Sequence, residues 1–412
     1  MNLLENQPDA RFYANIFANL DVSPIEATKA KEGRPSEKVA LFRSFVVMKC
    51  EKLSKVSELL DYLKNNLIIA HLCGFGITKS LPSYWTFRRY IRNIANSVLK
   101  EIMKGQVLEL VEMKLLDSSF IGLDATPNIA NTKLNNPKSF IPNKFDKDNH
   151  PKSDTDCSIG VRTASNQHTD RNYEFYWGYK NHILIDCITG LPIFEMTTGA
   201  ATADSSVAVD ILKNTNAFLS IKECSFIADA GYDIKEIYNT VRNIYHGNAY
   251  IPINPRNTKN PELLPVGNPI CEAGLAMSSN GKFSAGGRTR HKFVCPLRRS
   301  TKNVCPYNHP KWNNGKKWRG CTKYITIPDD YRLSIDRTSK DFKSVYQLRT
   351  ECERYNSRFK ATGQERLWVR NFLSAQNLNS FAHIAILAVA IANRISNSDI
   401  SYRSLFSFKR LA

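Results

Sequence analysis

The sequence has few of the features that would carry a protein to or through a membrane. No uncharged apolar run reaches the roughly 18 residues that a membrane-spanning helix needs. The first residues show no basic segment followed by an apolar one, so we expect no secretory leader. The segment from Phe381 to Ile395 is apolar but short, and it predicts a buried core helix. Together these features predict a cytoplasmic protein that makes no membrane contact.

The sequence also lacks the cysteine pattern of a secreted disulfide scaffold. Its ten cysteines include no C-x-x-C pair, and a cytoplasmic protein keeps its thiols reduced. Four of them, Cys271, Cys295, Cys305 and Cys321, lie in a stretch rich in Gly, Asn, Lys and Arg from residue 255 to 335. Their spacing is not that of a zinc knuckle, so two interpretations stay open. The four cysteines either bind a structural Zn²⁺ or are unrelated thiols.

Acidic residues are scarce relative to basic ones. Lys and Arg number 57 and Asp and Glu number 38, which gives a formal net charge of +19. Such an excess is typical of proteins that bind polyphosphate, although a merely basic soluble protein can also carry it. Nucleic acid is therefore a candidate partner that other features of the sequence must support.

The 412 residues divide into a helical region and a mixed one. Residues 1–116 predict a separate helical N-terminal domain, which is either a DNA-contacting module that binds the DNA ends or a bundle with a solvated basic face. From Phe120 onwards the predicted order is three strands, a helix, a strand, a helix and a strand. This order predicts an RNase H-like mixed sheet with flanking helices. We expect residues 117–412 to form one domain, interrupted by the 255–335 insertion between the last strand and a helix further along the chain.

Two aspartates directly follow short apolar strands, Asp124 after IGL and Asp229 after FIA. We expect both carboxylates at the carboxyl ends of their strands, where reacting groups gather in α/β sheets. Either aspartate could instead be an ordinary turn residue. Lys180 and His182 alternate on one face of another predicted strand. Lys180 is a candidate phosphate ligand, whereas an isolated histidine such as His182 is more often structural.

A helix predicted from Asp341 to Lys360 presents several charged residues on one face. Tyr346, Arg349, Glu353 and Lys360 fall at positions i, i+3, i+7 and i+14. An apolar stripe runs beside them, so the helix can pack on the sheet and still direct Glu353 towards the two aspartates. The alternative is a solvated charged face with surface ion pairs.

A second basic segment, KWNNGKKWRG, interleaves aromatic and charged residues within the insertion. Lys316, Lys317 and Trp318 are its candidate DNA contacts, because stacking combined with phosphate binding suits an element that grips DNA. The alternative is a loop folded onto the surface of the protein itself.

These motifs resemble the insertion-sequence transposases of the DDE superfamily, in the branch with a Y-x2-R-x3-E-x6-K signature. Tyr346, Arg349, Glu353 and Lys360 match that signature at each fixed position. GLDAT and ADAGYD are similar to the first and second carboxylate motifs of the family, and YWGYKNHILID is similar to its second strand. The resemblance covers most of the chain and is weakest over residues 128–156 and in the insertion.

The resemblance implies a transposase that cuts DNA at the ends of its element and joins those ends to a target. It implies that Asp124, Asp229 and Glu353 bind two divalent ions, Mg²⁺ or Mn²⁺, as the catalytic triad. It also implies that the other three signature residues contact DNA. The partners would be double-stranded DNA, as terminal inverted repeats and target, and a second copy of the chain in a homodimer. Bound to DNA, the protein would associate with the nucleoid.

Three other functions remain open on the residues alone. One is an RNase H-like nuclease that cuts without joining, and another is a catalytically inactive, domesticated DNA-binding protein. The presence of Asp124, Asp229 and Glu353 argues against the inactive form, and the helical N-terminal region favours a transposase over a simple nuclease. The third is a zinc-dependent regulator of nucleic acid, which would need Zn²⁺ rather than Mg²⁺ and would tolerate substitution of Asp124.

Overall fold

The computed structural model contains thirteen α-helices and nine strands among the residues that it describes. Those residues are 8–28, 37–163, 173–254, 267–285, 288–299, 303–307, 320–326 and 331–396. The helices are α1 (Pro8–Ala18), α2 (Ser23–Glu26), α3 (Lys38–Cys50), α4 (Val56–Asn65), α5 (Leu67–Cys73), α6 (Tyr84–Asn93), α7 (Asn96–Glu112), α8 (Asp204–Asn216), α9 (Lys235–Asn239), α10 (Tyr331–Ser334), α11 (Lys340–Tyr346), α12 (Thr350–Phe359) and α13 (Phe372–Ile395). The strands are β1 (Phe120–Ile129), β2 (Ser158–Thr163), β3 (Tyr173–Asp186), β4 (Pro192–Gly199), β5 (Ser225–Ile227), β6 (Asn248–Tyr250), β7 (Ser278–Ala285), β8 (Arg288–Val294) and β9 (Thr322–Thr326).

The chain divides into two compact units. The first comprises residues 1–206, 210–220 and 350–412, and the second comprises residues 207–209 and 221–349. The N-terminal helices α1 to α7 thus belong to the same unit as strands β1 to β4 and helices α12 and α13. The assignment of residues 1–116 to a separate DNA-end-binding domain stays a prediction.

Strand β3 organises the sheet of the first unit, because it is long enough to pair with three other strands. It runs antiparallel to β1, β2 and β4. Asp124 on β1 lies opposite Ile183, and the pairing continues as far as Ile129 opposite Gly178. Glycine is required at position 178, since a Cβ there would lie 2.2 Å from the carbonyl oxygen of Asn128.

The second unit contains a parallel pair and a small antiparallel sheet. Strands β5 and β6 are parallel, with Ser225 opposite Asn248. Strands β7, β8 and β9 form the small sheet in that order, and they lie in the predicted insertion between β6 and α11. The antiparallel set β1, β3 and β4 and the parallel pair β5 and β6 are the strand types that the RNase H-like prediction requires. The mixed α/β fold with a helical N-terminal region is confirmed.

Helix α13 is the central helix of the first unit. It contacts α1, α3, α6 and α7 on the helical side and β3 and β4 in the sheet. The ring of Phe381 packs 5.4 Å from that of Phe42 and 5.2 Å from that of Phe45. The helix is long and apolar enough to span a membrane, but 89% of its most apolar window is buried inside the protein. It is therefore the core helix that the sequence predicts, and it joins the N-terminal helices and the sheet in one core.

Two predicted elements need correction. Strand β1 does not end at Asp124, because its pairing with the long strand β3 carries it five residues further. The helix predicted up to Lys360 is not one regular helix. A 3₁₀ turn at Gln347–Arg349 separates α11 from α12, and a π-helical turn at Lys360–Gln364 follows α12. Because a 3₁₀ turn has about three residues per turn, the 3.6-residue spacing does not carry across it.

Candidate active site

Asp124 lies on β1 with its carboxylate held by two hydrogen bonds. The backbone N–H of Ala125 donates to Oδ1 at 2.9 Å, and Nδ2 of Asn356 donates to Oδ2 at 2.9 Å. Asn356 belongs to α12, three residues after Glu353, so the two side chains share one face of that helix. The bond therefore places the face of α12 that carries Glu353 beside Asp124.

Close packing of α12 on β1 depends on Gly122, two residues before Asp124. A Cβ at this position would lie 2.5 Å from Sγ of Cys352 and 2.6 Å from Sγ of Cys187. Cys352 directly precedes Glu353 and is buried against the strand, whereas Glu353 is exposed. The close contact between Gly122 on β1 and the buried thiol of Cys352 on α12 thus sets the distance of Glu353 from the sheet.

The opposite face of α12 is fixed by a chain of buried hydrogen bonds. The hydroxyl of Tyr355 lies 2.6 Å from Nδ1 of His383 on α13, and Nε2 of His383 lies 2.8 Å from Oδ1 of Asn181 on β3. Nδ2 of Asn181 donates to Glu195 on β4 at 2.7 Å. Burial lowers the pKa of His383 to about 3, so the ring is neutral and can accept from Tyr355 while donating to Asn181. The helix that carries Glu353 is thereby tied to the central strands.

Glu351, only two residues from Glu353, has a different environment. Its side chain is 8% exposed and forms an ion pair with Arg354. Its Oε2 also lies close to Gly190, in the turn between β3 and β4. Glu351 is therefore a buried carboxylate whose charge is already paired with Arg354.

Asp229 lies in the second unit, just after β5. Its Oδ1 accepts a hydrogen bond of 2.7 Å from the N–H of Gly231 and caps a 3₁₀ turn at Ala230–Tyr232. Its carboxylate is 43% exposed, and Oδ2 lies 3.8 Å from Nη2 of Arg349. Arg349 is thus an ion-pair partner of Asp229 in this unit.

The remaining signature residues and the strand residues have mixed environments. Tyr346 ends α11 and stacks on Phe342 with ring centroids 5.7 Å apart, and Lys360 is half-buried in the π-helical turn.

Lys180 is 18% exposed, and its Nζ donates to Oδ1 of Asp204 at 2.9 Å, which holds it at the start of α8. His182 is a buried structural histidine: burial lowers its pKa to about 4.

Two further predictions concern the basic segment of the insertion and the metal sites. Lys316, Lys317 and Trp318 lie outside the described residues. Among the residues that are described, no group of three or more His, Cys, Asp or Glu side chains is arranged to hold a metal ion.

The first unit also contains a basic pocket that the sequence motifs did not predict. It encloses about 730 Å³, and its charged and aromatic lining includes Lys133, Lys152, Arg366, Trp368 and Arg370. The lining contains no Asp or Glu, and these four cations make no ion pair with any described residue. The pocket is therefore a concentration of uncompensated positive charge around an exposed indole.

The sequence RLWVR explains how this pocket forms. Leu367 and Val369 are buried, whereas Arg366, Trp368 and Arg370 are exposed, which is the two-residue alternation of extended chain. The segment also hydrogen-bonds to the end of β1, since the N–H of Leu367 donates to the carbonyl of Ile129 at 2.9 Å. This alternation is the signal that could have identified the pocket in advance.

The ring of Trp368 is oriented by two neighbouring cations. Nζ of Lys55 lies 4.4 Å from its centroid, and the guanidinium of Arg88 donates to its backbone carbonyl at 3.3 Å. Its side chain nevertheless remains 40% exposed. An exposed, preoriented indole among cations is a surface on which a nucleic-acid base can stack.

Comparison with known proteins identifies the family. Among solved structures, the chain is similar to the piggyBac transposase in a synaptic complex with hairpin DNA, with 12% identity and a TM-score of 0.42 over 100% of this chain and 80% of that one. It is also similar to the Mos1 transposase in a paired-end complex with the left transposon end, with 12% identity and a TM-score of 0.18 over 54% of this chain and 61% of that one. No curated protein matches the chain. The family model of the transposase DDE domain matches residues 154–388, more than half of the chain and a span that includes Asp229 and Glu353. The chain therefore belongs to the DDE transposase family.

Proposed function

We propose that this DNA transposase uses Asp124, Asp229 and Glu353 to bind two Mg²⁺ or Mn²⁺ ions. DDE transposases generally use divalent metal ions, and three carboxylates are the hard oxygen donors that such ions prefer. The observation that carries the proposal is the hydrogen bond from Asn356 to Asp124, because it sets the Glu353 face of α12 beside that aspartate. The substrates are the ends of the element, cut by hydrolysis, and a target DNA to which those ends are joined.

The chemistry requires charge stabilisation on both sides of a phosphodiester. Two bound divalent ions supply it by stabilising the attacking and the leaving oxygen of an in-line displacement. Asn356 positions Asp124 by holding Oδ2, while Arg349 lies beside Asp229. No covalent bond between protein and DNA is needed, since the nucleophile is water in cleavage and a DNA 3′-hydroxyl in joining.

The DNA-contacting role is assigned in two parts. Tyr346, Arg349 and Lys360, the other signature residues, would contact DNA at the site of cleavage. The basic pocket would hold the backbone of the same DNA through Arg366 and Arg370, because its charge is uncompensated within the unit. Lys180 is left out of this surface, since it is paired with Asp204. Two copies of the chain would hold the two inverted repeats together as a homodimer.

The decisive experiment is cleavage of labelled DNA that carries the element's own ends, in Mg²⁺ or Mn²⁺. We expect Glu353→Gln to lower cleavage by more than about 100-fold, since even outer-shell partners of a metal site contribute about 10–100-fold. Glu351→Gln is the matched control, because this carboxylate lies on the same helix and is already paired with Arg354. DNA binding by both variants should equal that of the wild type.

The outcomes separate the competing functions. Cleavage that yields no joined product with target DNA would favour a simple nuclease, and DNA binding without cleavage by the wild type would favour a domesticated binding protein. Cleavage by Glu353→Gln at the wild-type rate would remove Glu353 from the proposed triad.

The role of the basic pocket is tested by the salt dependence of DNA binding. We expect Arg366→Ala combined with Arg370→Ala to reduce the slope of log affinity against log salt by about 2, one for each lost phosphate contact. Lys213→Ala, an exposed lysine on α8, is the control and should leave the slope unchanged. An unchanged slope in the double variant would place the DNA backbone elsewhere.

A further inference from the structure

The topology of the small sheet brings three distant cysteines to one of its ends. Val294, the last residue of β8, pairs with Ser278 at the start of β7 and with Thr322 at the start of β9. Cys295 directly follows β8 and Cys321 directly precedes β9. The backbone N–H of Cys295 donates to the carbonyl of Cys321 at 3.0 Å, so these two residues are fixed side by side.

Cys271 reaches the same end from a tight turn ahead of β7. Its N–H donates to the carbonyl of Leu275 at 2.9 Å, and its carbonyl accepts from the N–H of Gly274 at 2.9 Å. Gly274 has a φ of +73°, which favours glycine at this point of the turn. The turn directs Cys271 into a cluster with Phe293, and Cys321 packs against that cluster.

These cysteines pack against one another. Cys321 packs against the buried cluster that contains Cys271. Cys305, from the loop that follows β8, packs against Cys295, and Cys321 lies against that pair as well. Cys271, Cys295 and Cys305 are 7%, 2% and 7% exposed. Four cysteines that are up to 50 positions apart in the sequence thus gather at one place.

Ordinary hydrophobic packing does not account for this gathering. Apart from the cysteines, the buried apolar residues of the small sheet and its leading turn are Met277, Phe293 and Val294, with only a few partly buried neighbours. A sheet with so small an apolar core needs another source of stability, and bound metal is a common one.

We propose that Cys271, Cys295, Cys305 and Cys321 bind one structural Zn²⁺ that closes this end of the small sheet. Four thiolates around one ion form a tetrahedral site with no open position, which suits a structural rather than a catalytic metal. Binding replaces the four thiol protons, which pass to solvent, and involves no oxidation or reduction. The site is separate from the carboxylates proposed for DNA cleavage.

Binding of one ion requires the four sulfurs to converge on a common point. No three of these sulfurs are spaced as ligands of one metal among the described residues, so the thiols must turn towards a common point. Each cysteine has a single χ1 torsion with three staggered wells. The sulfurs can therefore be reoriented while the paired strand ends at Cys295 and Cys321 stay in place.

Metal analysis of the purified full-length protein tests the proposal. After gel filtration without chelator we expect about one zinc per chain, and a zinc–sulfur distance of about 2.3 Å by X-ray absorption. Cys295→Ser and Cys321→Ser should each retain less than about 0.2 zinc per chain. Cys224→Ser is the matched control, since Cys224 is a buried thiol of the same unit outside the cluster.

A thiol titration keeps the test valid if the serine variants fail to fold. In the wild type, a zinc chelator should make four additional thiols reactive as the metal is released. A wild-type protein without zinc, or one whose zinc is lost equally in Cys224→Ser, would overturn the proposal. The result is independent of the catalytic assignment, because Glu353→Gln should keep its zinc while losing cleavage.

Discussion

The interior of the first unit and the small sheet of the second unit are stabilised in different ways. In the first unit, α13 is buried along most of its length, and hydrogen bonds tie it to α12, β3 and β4. In the small sheet, three apolar side chains and a group of thiols form the buried core. The unit that carries Asp124 and Glu353 can hold buried polar groups because its apolar core is large, whereas the small sheet has little apolar area and would gain stability from the zinc site proposed above.

Removal of metal should break the small sheet and leave the first unit intact. Structural zinc sites carry apparent binding free energies of about 10–16 kcal/mol, so this is the largest effect we expect. Chelation should abolish amide protection in β7, β8 and β9, as measured by hydrogen exchange, and leave that of α13 unchanged. Equal loss of protection in both regions would mean that the two units do not differ in this way.

Breaking the buried ion pair between Lys100 and Glu195 should strongly destabilise the first unit. Glu195 is fully buried; burial tends to raise its pKa, but the charge of Lys100 and the hydrogen bond from Ser380 outweigh that effect and lower it. Glu195→Ala leaves Lys100, whose side chain is only 22% exposed, without its counter-ion and should lower the free energy of unfolding by about 3 kcal/mol.

Denaturant unfolding measures this loss, and the double substitution Lys100→Met with Glu195→Leu is the control. It removes both charges and should recover most of the lost stability. Because the folded pKa of Glu195 is lowered, the contribution of its carboxylate is present at neutral pH and disappears as the pH falls through that lowered value. Unchanged stability in Glu195→Ala would show that the polar interior contributes little.

Replacement of Lys49 should stabilise the first unit. This lysine is fully buried with Gln364 as its hydrogen-bond partner, and burial lowers its pKa to about 7. The unfolded chain binds the proton more tightly, so the free energy of unfolding should rise as the pH increases from about 7 towards 10.

Lys49→Met should raise the free energy of unfolding at pH 7 by roughly 2–4 kcal/mol and abolish that rise with pH. Denaturant titrations at several pH values measure both effects. Lys64→Met, an exposed lysine on α4, is the control and should change neither. A loss of stability in Lys49→Met would show that the buried ammonium is needed in the core.

Adding a methyl group at Gly122 should cause a smaller loss of stability. The new Cβ would meet two sulfurs at about 2.5 Å, and overpacking of this kind costs about 1–3 kcal/mol. Gly122→Ala should also slow DNA cleavage, because it moves α12 and Glu353 away from β1.

Gly105→Ala is the opposite case, because nothing lies within 4 Å of its added Cβ on α7. It should stabilise the protein by about 0.5–1 kcal/mol in the same unfolding assay. If Gly122→Ala lowered neither the free energy of unfolding nor the rate of DNA cleavage, the close packing of α12 on β1 would not determine the position of Glu353.

Local sequence patterns predicted the parts of the fold that local chemistry determines. The apolar runs ahead of Asp124 and Asp229 identified both strands, and the long apolar segment identified the core helix. The predicted end of β1 was wrong, because the observed end depends on pairing with β3 about 50 positions further along the chain. The 3₁₀ turn at Gln347–Arg349 was missed, because a residue pattern with helical spacing fits a broken helix as well as a straight one.

The candidate site shows the same division. The signature from Tyr346 to Lys360 marked Glu353, but it gave no sign that Asn356 on the next turn would bind Asp124. Lys180 was a reasonable phosphate ligand by sequence, and only its contact with Asp204 shows that its charge is already compensated. Such pairings join distant parts of the chain, so they cannot be derived from spacing.

The long strand β1 connects two sites that we propose to contact DNA. The same strand carries Asp124 and, at Ile129, the backbone that binds the RLWVR segment. Five residues of extended strand measure about 17 Å, and a DNA strand advances about 3.4 Å per base pair. With the roles proposed above for Asp124 and Arg366, a DNA strand running along β1 would place the two contacted phosphates about five base pairs apart.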